Sequence, residues 1–260
     1  MSSSVRLTSN SVVFITGASS GIGRATAEAF AREGCLLALA ARRLDRLSEL
    51  QSELSRRHKV EVMVEQLDVR DREACERTVD RIQSRLGRID ILVNNAGLAR
   101  GLRPVEEGDE TEWREMVETN VMGLLWVTRA VIPRMRAAGK GHIINIGSVA
   151  GHESYAGGSV YAGTKHAVRA ITRALRFELL GAHIRVSSVD PGLVETEFST
   201  VRFDGDAQRA KSVYTGMQPL SGADVAECIV FAASRPAHVN VDEIIVKPLD
   251  QASSTVVNRG

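Results

Sequence analysis

Short apolar runs alternate with longer amphipathic stretches along the chain, and this alternation limits the fold more than any other feature. The apolar runs predict strands at residues 12–16, 35–40, 60–66, 89–93, 142–147, 184–189 and 243–246. The stretches between them predict helices at residues 22–32, 44–58, 72–86, 111–135, 160–180 and 223–234. Strands separated by helices are typical of parallel βαβ units, which place helices on both faces of a sheet. The alternation therefore predicts an α/β fold with a doubly wound parallel sheet.

Nothing in the pattern divides the chain into parts. The 260 residues contain no repeat and no low-complexity linker, so we predict one domain spanning residues 1–260. Residues 195–218 interrupt the alternation after a predicted strand and are rich in Thr, Ser, Gly and charged residues. A long insertion at the carboxyl edge of a sheet is more often a substrate lid than an idle loop. Residues 248–260 form a C-terminal tail.

Charge and composition exclude several classes of protein. The net charge of +1 gives no sign of a nucleic-acid surface. The N-terminal segment MSSSVRLTSN is polar, and no apolar run approaches the roughly 18 residues of a membrane span. Cys35, Cys75 and Cys228 have neither CxxC nor metal-ligand spacing, and no HExxH occurs among the six histidines, so no metal is predicted. We expect a soluble cytoplasmic protein.

A glycine-rich turn follows the first predicted strand and opens the first helix. Gly17, Gly21 and Gly23 lie in the segment TGASSGIG, at residues 16–23. Glycines let the backbone turn tightly and approach a pyrophosphate, which then rests on the helix N-terminus. The turn therefore predicts a dinucleotide site that also includes its other residues, Ser19, Ser20 and Ile22. Three glycines alone are also compatible with a simple tight turn between strand and helix.

The end of the second predicted strand indicates which dinucleotide binds. A site specific for NAD usually places an acid there to bind the ribose 2′-hydroxyl. Here Ala41 takes that place and is followed by Arg42 and Arg43, whose guanidinium groups can bind a 2′-phosphate. We therefore predict NADP(H). The alternative is that the two arginines open a solvated helix face together with Asp45 and Arg46.

Two further strand ends carry residues suited to a cofactor. Asp68 and Val69 close the third strand, where a carboxylate can accept a hydrogen bond from an adenine amino group; the alternative for Asp68 is a helix N-cap. Asn94, Ala96 and Gly97 lie in the NNAG segment after the fourth strand. Small residues there let the chain pass close to a cofactor, and the asparagine amides can tie adjacent strands together. An ordinary Asn/Gly turn is the alternative.

A tyrosine and a lysine four residues apart predict the chemistry. Tyr161 and Lys165 share one face of a predicted helix, and Ser148 lies upstream just after an apolar run. A neighbouring ammonium favours phenolate, so we expect Lys165 to lower the pKa of Tyr161 from its usual value of roughly 10. A tyrosine tuned in this way transfers a proton near neutral pH. Taken singly, these residues are also compatible with a surface tyrosine, a surface lysine and a capping serine.

Taken together, these segments resemble the short-chain dehydrogenase/reductase family over nearly the whole chain. The resemblance rests on TGASSGIG, on DV at Asp68, on NNAG, on Asn120 in ETNVMG, on Ser148 in INIGS, on YAGTK and on PG at Pro191. It implies a Rossmann-like sheet of seven strands in the order 3-2-1-4-5-6-7. It also implies a catalytic tetrad of Asn120, Ser148, Tyr161 and Lys165.

The resemblance also implies how the tetrad works. Tyr161 would exchange the substrate proton, Ser148 would hold the substrate oxygen, and Lys165 would bind the nicotinamide ribose as well as tune the tyrosine. Asn120, within a helix, would hold a water that links Lys165 to solvent. Tyr161 and Lys165 therefore also count among the cofactor-binding residues.

The turn after the sixth predicted strand belongs to the same site. It contains Pro191, Gly192, Val194 and Thr196. The Val194 amide would meet the nicotinamide carboxamide, and Thr196 would bind the carboxamide or a phosphate. The alternative is a simple strand-terminating turn.

A narrower resemblance is to the NADP-dependent 3-hydroxy acid dehydrogenases, a subgroup that includes enzymes acting on serine and allo-threonine. The segments GGSVYAGTK, DPGLVETEFSTVRFDGD, AKSVY and IIVKPLDQAS carry it. Arg202, in the predicted lid, would bind a substrate carboxylate, although a solvated surface charge is equally compatible with the sequence. The alternatives are a broad ketone or carbonyl reductase and, in a different class, an NADP-sensing regulator without turnover. The family habit implies a homotetramer formed partly through helix 160–180.

Overall fold

A computed structural model describes residues 7–260, which form a seven-stranded sheet with helices on both faces. The strands are β1 (Val12–Thr16), β2 (Leu36–Ala41), β3 (Val62–Gln66), β4 (Ile91–Asn94), β5 (Gly141–Ile146), β6 (Ile184–Pro191) and β7 (Glu243–Val246). All neighbours pair in parallel, in the order β3-β2-β1-β4-β5-β6-β7. The predicted doubly wound Rossmann-like fold and its strand order are confirmed.

The helices follow the predicted alternation. They are α1 (Gly21–Arg32), α2 (Leu44–His58), α3 (Arg72–Leu86), α4 (Glu110–Val117), α5 (Leu124–Ala138), α6 (Ser159–Glu178), α7 (Glu197–Arg202), α8 (Ala207–Ser212) and α9 (Gly222–Ala233). Short 3₁₀ turns occur at Val105–Glu107 and Val149–Gly151. Within residues 7–260, no helix combines the length and the apolar character that crossing a membrane would require.

The central strands of the sheet are buried on both faces, which explains why they consist of continuous apolar runs. Neighbouring residues of β1 point in opposite directions, so that Ile15 packs with α1, α2 and α9 while Phe14 packs with α3, α5 and α6. Both side chains are fully buried. Full burial of a side chain of this size contributes roughly 1.5–3 kcal/mol, so the two cores hold the strand ends in fixed positions.

Several strands begin or end a residue or two away from the predicted positions. Val60 and Ile89 are buried, which extends the apolar pattern, but the β ladders of β3 and β4 begin only at Val62 and Ile91. Lys59 adopts a left-handed conformation with a φ of 55° at the end of α2, so the chain is still turning when it reaches Val60. Burial marks the core, whereas the ladder needs a hydrogen-bonded partner strand.

The helix predicted at residues 111–135 is helical throughout, but it is not a single α-helix. α4 begins at Glu110, where the Asp109 side chain accepts hydrogen bonds from the amides of Thr111 at 2.7 Å and Glu112 at 3.2 Å. A π-helical segment, Glu118–Gly123, then separates α4 from α5. A Cβ at Gly123 would lie 2.5 Å from a methyl carbon of Val69, so this segment passes very close to the end of β3.

The segment after β6 and the C-terminal tail pack on the rest of the chain. Residues 195–218 contain α7 and α8. In the tail, Oε1 of Gln251 accepts a hydrogen bond from the amide of Leu193 at 2.8 Å, and Nη2 of Arg259 donates to the carbonyl oxygen of Val213 at 3.0 Å. These contacts tie the tail to the turn after β6 and to the segment that follows α8.

Candidate active site

A cleft of about 330 Å³ opens at the carboxyl ends of the strands. Its wall includes residues on both sides of the point between β1 and β4 where the strand order reverses, which is the usual ligand position in open α/β sheets. The predicted site residues that line it are Gly17, Ser19, Ser20, Gly21, Ile22, Arg42, Arg43, Asp68, Val69, Ala96, Gly97, Ser148, Tyr161, Lys165, Pro191, Gly192, Val194 and Thr196. The fold therefore brings most of the predicted residues together.

The glycine-rich turn packs so closely against other segments that it has no space for side chains. Gly17 and Gly21 have φ values of 65° and 53°, a region that glycine adopts without strain. A Cβ at Gly17 would lie 2.9 Å from the Cα of Ala96, and one at Gly21 would lie 3.2 Å from the Cβ of Thr196. The turn thus lies against two other segments of the cleft wall. Since α1 begins directly at Gly21, its N-terminus adjoins the cleft, an arrangement that suits a phosphate.

Two predicted cofactor residues lie outside the cleft wall. A Cβ at Gly23 would lie 2.4 Å from Nδ2 of Asn95, so this glycine allows α1 to pack against the turn. Asn94 is buried, and its Nδ2 donates to Oγ1 of Thr128 at 2.8 Å and to Oδ1 of Asn145 at 2.9 Å. Asn94 thus ties β4 to β5 and α5, as was expected of the asparagine amides in this segment, and does not line the cleft.

Asn120 also lies behind the cleft, within the π-helical segment. Its Oδ1 accepts a hydrogen bond from the amide of Leu98, and its Nδ2 donates to the Leu98 carbonyl oxygen, both at 2.8 Å. The same Nδ2 lies 3.1 Å from Oγ1 of Thr164. A Cβ at Gly97 would lie 3.3 Å from Oδ1 of Asn120 and 3.8 Å from Nζ of Lys165, so this asparagine closes the space beside the lysine.

Arg43 gathers polar groups from three parts of the chain. Its Nη2 donates to Oγ of Ser20 at 2.8 Å, and Nε and Nη2 each lie 3.3 Å from Oγ of Ser19. Its Nη1 donates to Oε2 of Glu197 at 2.9 Å. Nη1 of Arg46 donates to the other oxygen of Glu197 at 2.5 Å. The guanidinium predicted to bind a 2′-phosphate is thus bound to the glycine-rich turn and to the first residue of α7.

The neighbouring charges lie on the same side of the cleft. Nη1 of Arg42 is 3.6 Å from Oε1 of Glu115. Arg70 donates from Nε to Asp68 at 3.0 Å, and this hydrogen bond holds the pKa of the Asp68 carboxyl below its usual range. The N-cap of α3 is Asp71, so the capping alternative for Asp68 is wrong. Asp68 remains an ionised acceptor at the cleft wall.

Tyr161, Lys165 and Ser148 meet at one end of the cleft, and each is less than a tenth exposed. Nζ of Lys165 donates to the carbonyl oxygen of Ile146 at 2.9 Å and lies 5.9 Å from the centre of the Tyr161 ring. Oγ of Ser148 accepts from the amide of Ala150 at 3.1 Å. α6 thus presents the tyrosine and the lysine on one face, next to the end of β5 that carries the serine.

The expectation that Lys165 lowers the pKa of Tyr161 is wrong. Burial raises the pKa of the tyrosine above its usual value, and the opposing influences are the Ser148 hydroxyl and the positive charge of Arg202. Burial also lowers the pKa of Lys165 to about 8. The two groups are removed from water together, so desolvation outweighs the attraction that i,i+4 spacing alone suggested.

The first helix of the predicted lid covers Tyr161. The ring of Phe198 lies 5.7 Å from the ring of Tyr161, measured between centres, and Cζ of Arg202 also lies 5.7 Å from the centre of the Tyr161 ring. Nε of Arg202 donates to the carbonyl oxygen of Gly101 and Nη2 to the hydroxyl of Tyr155, both at 3.0 Å. Arg202 is therefore held beside the phenol rather than extended into solvent.

A partly buried cluster of His152, Asp190 and Glu243 lies near the lysine, and no local pattern predicted it. Nε2 of His152 is 2.6 Å from Oδ2 of Asp190, and Glu243 lies close enough for the ligand atoms of all three to fall within 4.8 Å. The Asp190 charge opposes the lowering of the Lys165 pKa. Arg169 donates to Glu243 at 3.0 Å, so both carboxylates already have cationic or hydrogen-bonding partners and we assign no metal.

Other contributors were also missed. Asn95 lines the cleft and donates from Nδ2 to the carbonyl oxygens of Thr16 at 2.9 Å and Gly17 at 3.1 Å, which fixes the glycine-rich turn. Its place in the NNAG segment was a usable signal. Glu197 and Gln251 meet their partners across long stretches of chain, and no local pattern marks either residue.

Comparison with known proteins places the chain in a family. A family model described as short chain dehydrogenase matches residues 11–207. The NADP-dependent 3-hydroxy acid dehydrogenase of Schizosaccharomyces pombe is 44% identical over 95% of this chain and 96% of its own. Sulfoacetaldehyde reductase 2 of Chromohalobacter salexigens is 45% identical over 94% and 96%. A closed form of serine dehydrogenase complexed with NADP+ superposes with a TM-score of 0.90 at 41% identity, covering 96% of this chain and all of that one. The chain belongs to the short-chain dehydrogenase family.

Proposed function

We propose that this protein is an oxidoreductase that transfers hydride between NADP(H) and the alcohol or carbonyl carbon of a small 3-hydroxy acid. One observation carries the proposal: Ser148, Tyr161 and Lys165 lie in the same cleft as the glycine-rich turn and Arg43. A proton-transferring tyrosine beside a dinucleotide cradle is the minimum that reversible alcohol oxidation requires. The relatives named as NADP-dependent 3-hydroxy acid dehydrogenase and as serine dehydrogenase with NADP+ support the same activity.

The residues of the cleft fit a dinucleotide with a 2′-phosphate. The turn at Gly17 and Gly21 has no space for side chains, so the backbone itself forms that part of the wall. Arg42 and Arg43 follow β2, where Ala41 offers no carboxylate to repel a phosphate. Bound NADP(H) supplies or accepts the hydride. Its adenosine end would lie near Arg43 and Asp68, and its nicotinamide end near Tyr161.

The chain's own residues would handle the proton. In oxidation, the Tyr161 oxygen would take the proton of the substrate hydroxyl as the phenol gives up its own proton, which Lys165 in its neutral form can accept. In reduction, both proton transfers would run in reverse, and the carbonyl oxygen would receive the phenol proton. Ser148 donates a hydrogen bond to the same oxygen and fixes its position. Lys165, whose pKa is about 8, can gain or lose a proton near neutral pH and so can relay one towards Asn120 and solvent.

Arg202 is our candidate for binding the substrate's acidic group. It is half-buried, it lies beside the Tyr161 ring, and within residues 7–260 its Nη1 has no hydrogen-bond partner. A guanidinium in this position can bind a carboxylate or sulfonate close to the reacting carbon. A 3-hydroxy acid, serine and sulfoacetaldehyde, the compounds named for the relatives, all carry such an anionic group.

A nicotinamide absorbance screen tests the proposal. The oxidation arm measures NADP+ reduction with L-serine, L-allo-threonine, 3-hydroxyisobutyrate and the carboxyl-free amino alcohols. The reduction arm measures NADPH oxidation with simple ketones, which represent the alternative class of substrate. We expect kcat/KM for the acids to exceed that for the matching alcohols by at least tenfold. Equal values would favour a broad carbonyl reductase, and binding of NADP+ without turnover of any compound would favour a sensor.

Assembly and location form part of the same proposal. Phe177 and Leu180, at the end of α6 and just beyond it, are 78% and 85% exposed, and such side chains are suited to burial against a second subunit. We therefore favour a homotetramer that uses this helix, to be tested by light scattering coupled to size exclusion.

Cys35, Cys75 and Cys228 are free thiols, as expected in a reducing compartment, which supports a cytoplasmic location. Cell fractionation tests that location.

A further inference from the structure

Glu197 brings a negative charge to the part of the cleft that the 2′-phosphate would use. Its two carboxylate oxygens accept hydrogen bonds from Arg43 at 2.9 Å and from Arg46 at 2.5 Å. Partial burial would raise the pKa of Glu197, but the hydrogen bonds from these arginines hold it below its usual range, so the carboxylate is ionised at neutral pH. The positive charge next to β2 is thus already shared with an anion of the chain itself.

The hydrogen bonds of Arg43 leave little room for a second anion. Nη1 is bound to Glu197, while Nη2 and Nε are bound to Ser20 and Ser19 of the glycine-rich turn. A guanidinium presents its donors in a rigid planar fork, so a phosphate that takes two parallel hydrogen bonds must replace a group already there. Two anions on one guanidinium also repel each other. The group that can leave is Glu197, because it lies on a separate segment and is partly exposed.

The same short helix carries the residues that cover the reacting end of the cleft. Glu197 is the first residue of α7, and Phe198, Val201 and Arg202 follow within it. Phe198 and Val201 line the cleft, and Arg202 lies over the Tyr161 ring. Because six residues of one helix move as a unit, a shift of Glu197 away from Arg43 also shifts the groups beside Tyr161.

We propose that Glu197 competes with the 2′-phosphate of NADP(H) for Arg43 and thereby couples cofactor binding to the position of the lid helix α7. This inference rests on the proposed function, which assigns NADP(H) to the cleft. NAD(H), which has a hydroxyl in place of the phosphate, leaves the Glu197–Arg43 pair intact. Glu197 is therefore a specificity-determining and positioning residue and touches no reacting atom.

The first test measures cofactor binding without turnover. Dissociation constants of NADP+ and NAD+ are determined by calorimetry for the wild type, Glu197→Gln and the control Glu53→Gln. Glu53 is also a partly exposed acid, and it pairs with Arg24 at 2.8 Å on α1. Losing a competing pair of this kind is expected to tighten NADP+ binding about three- to fivefold in Glu197→Gln, while NAD+ binding stays within twofold. Glu53→Gln should leave both constants within twofold.

The second test follows α7 in the unaltered protein. Amide hydrogen exchange of residues 198–203 is measured with adenosine 2′,5′-bisphosphate and with ADP, which lacks the 2′-phosphate. We expect the 2′-phosphate compound to speed exchange in this segment, because Glu197 loses a partner, and ADP to leave it unchanged. Since neither compound contains nicotinamide, the result does not depend on catalysis.

The outcomes separate this inference from the proposed function. If the wild type prefers NADP+ but Glu197→Gln binds it no more tightly, the competition is refuted and the cofactor assignment stands. If Glu53→Gln tightens NADP+ binding as much as Glu197→Gln does, the effect is due to net charge alone and the specific role of Glu197 is refuted. If α7 responds equally to both adenosine compounds, the coupling to the lid is refuted. If the wild type prefers NAD+, the proposed cofactor is wrong and the inference fails with it.

Discussion

Replacing Lys165 with methionine is expected to stabilise the protein near neutral pH. Lys165 is 8% exposed, and burial lowers its pKa from 10.5 to about 8. In the unfolded chain, Lys165 keeps the higher pKa of 10.5. Below about pH 8 the lysine is charged in both states, so folding carries the whole cost of burying its ammonium group. The gap between the two values corresponds to about 3 kcal/mol, because each pKa unit is worth about 1.4 kcal/mol.

Part of that gain is lost with the lysine's hydrogen bond. Nζ of Lys165 donates to the carbonyl oxygen of Ile146, and leaving a buried acceptor without a partner costs about 1 kcal/mol. Lys165→Met should therefore be about 2 kcal/mol more stable than the wild type at pH 7. The stability of the wild type rises with pH between about 8 and 10.5, because the folded state there binds fewer protons than the unfolded state. The advantage of the variant should shrink across that range and reverse by about 1 kcal/mol near its upper end.

The assay is urea denaturation at a fixed protein concentration, repeated at intervals from pH 7 to pH 10.5. Lys211→Met serves as the control, because Lys211 is exposed on α8 and its replacement should change stability by less than about 0.5 kcal/mol at every pH. A variant less stable than the wild type at pH 7, or a difference that stays constant with pH, would refute the reasoning. The expected result would mean that the enzyme gives up stability to keep a titratable amine beside Tyr161.

Three further predictions concern the cleft. Tyr161→Phe should abolish turnover and leave the dissociation constant of NADP+ within about threefold of the wild type, because the phenol transfers the proton while most cofactor contacts lie elsewhere. Steady-state rates and calorimetry check this, and a kcat within tenfold of the wild type would contradict it. Combining Ala41→Asp with Arg42→Ser and Arg43→Ser should move the kcat/KM ratio from NADP+ towards NAD+, and an unchanged ratio would show that the phosphate binds elsewhere. Arg202→Gln should raise KM for 3-hydroxy acids about tenfold or more without affecting carboxyl-free alcohols, since a charge-assisted hydrogen bond is lost. A uniform rise in KM for both classes would instead assign Arg202 a purely structural role.

Local sequence patterns were sufficient to predict the fold. Buried strands such as β1 consist of continuous apolar residues, and the helices between them show their own period, so element type and order follow from short segments. The glycine-rich turn and the Tyr161/Lys165 pair are likewise local patterns, and both lie in the cleft. Because all carboxyl ends of parallel strands lie at one edge of the sheet, the fold itself brings these two patterns together.

The remaining features depend on contacts between distant segments. Arg43 was predicted to bind a phosphate, but its contact with Glu197 joins residues 154 positions apart, and no local pattern records it. The rise in the pKa of Tyr161 depends on how deeply the ring is buried beneath α7, which i,i+4 spacing does not specify. Asn94 looked like a cofactor residue because it follows a strand, whereas its side chain points into the layer between sheet and α5.

At the π-helical segment Glu118–Gly123, the number of residues matters for the geometry of the site as much as their identity does. A π turn contains about one residue more than an α turn, and one residue corresponds to a rotation of about 100° around a helix. Deleting one residue here would let α4 and α5 join as a continuous α-helix and would rotate one against the other. The amide of Asn120 would then leave Leu98 and Thr164. A change in length at this helix would thus disable the site even if every residue lining the cleft were retained.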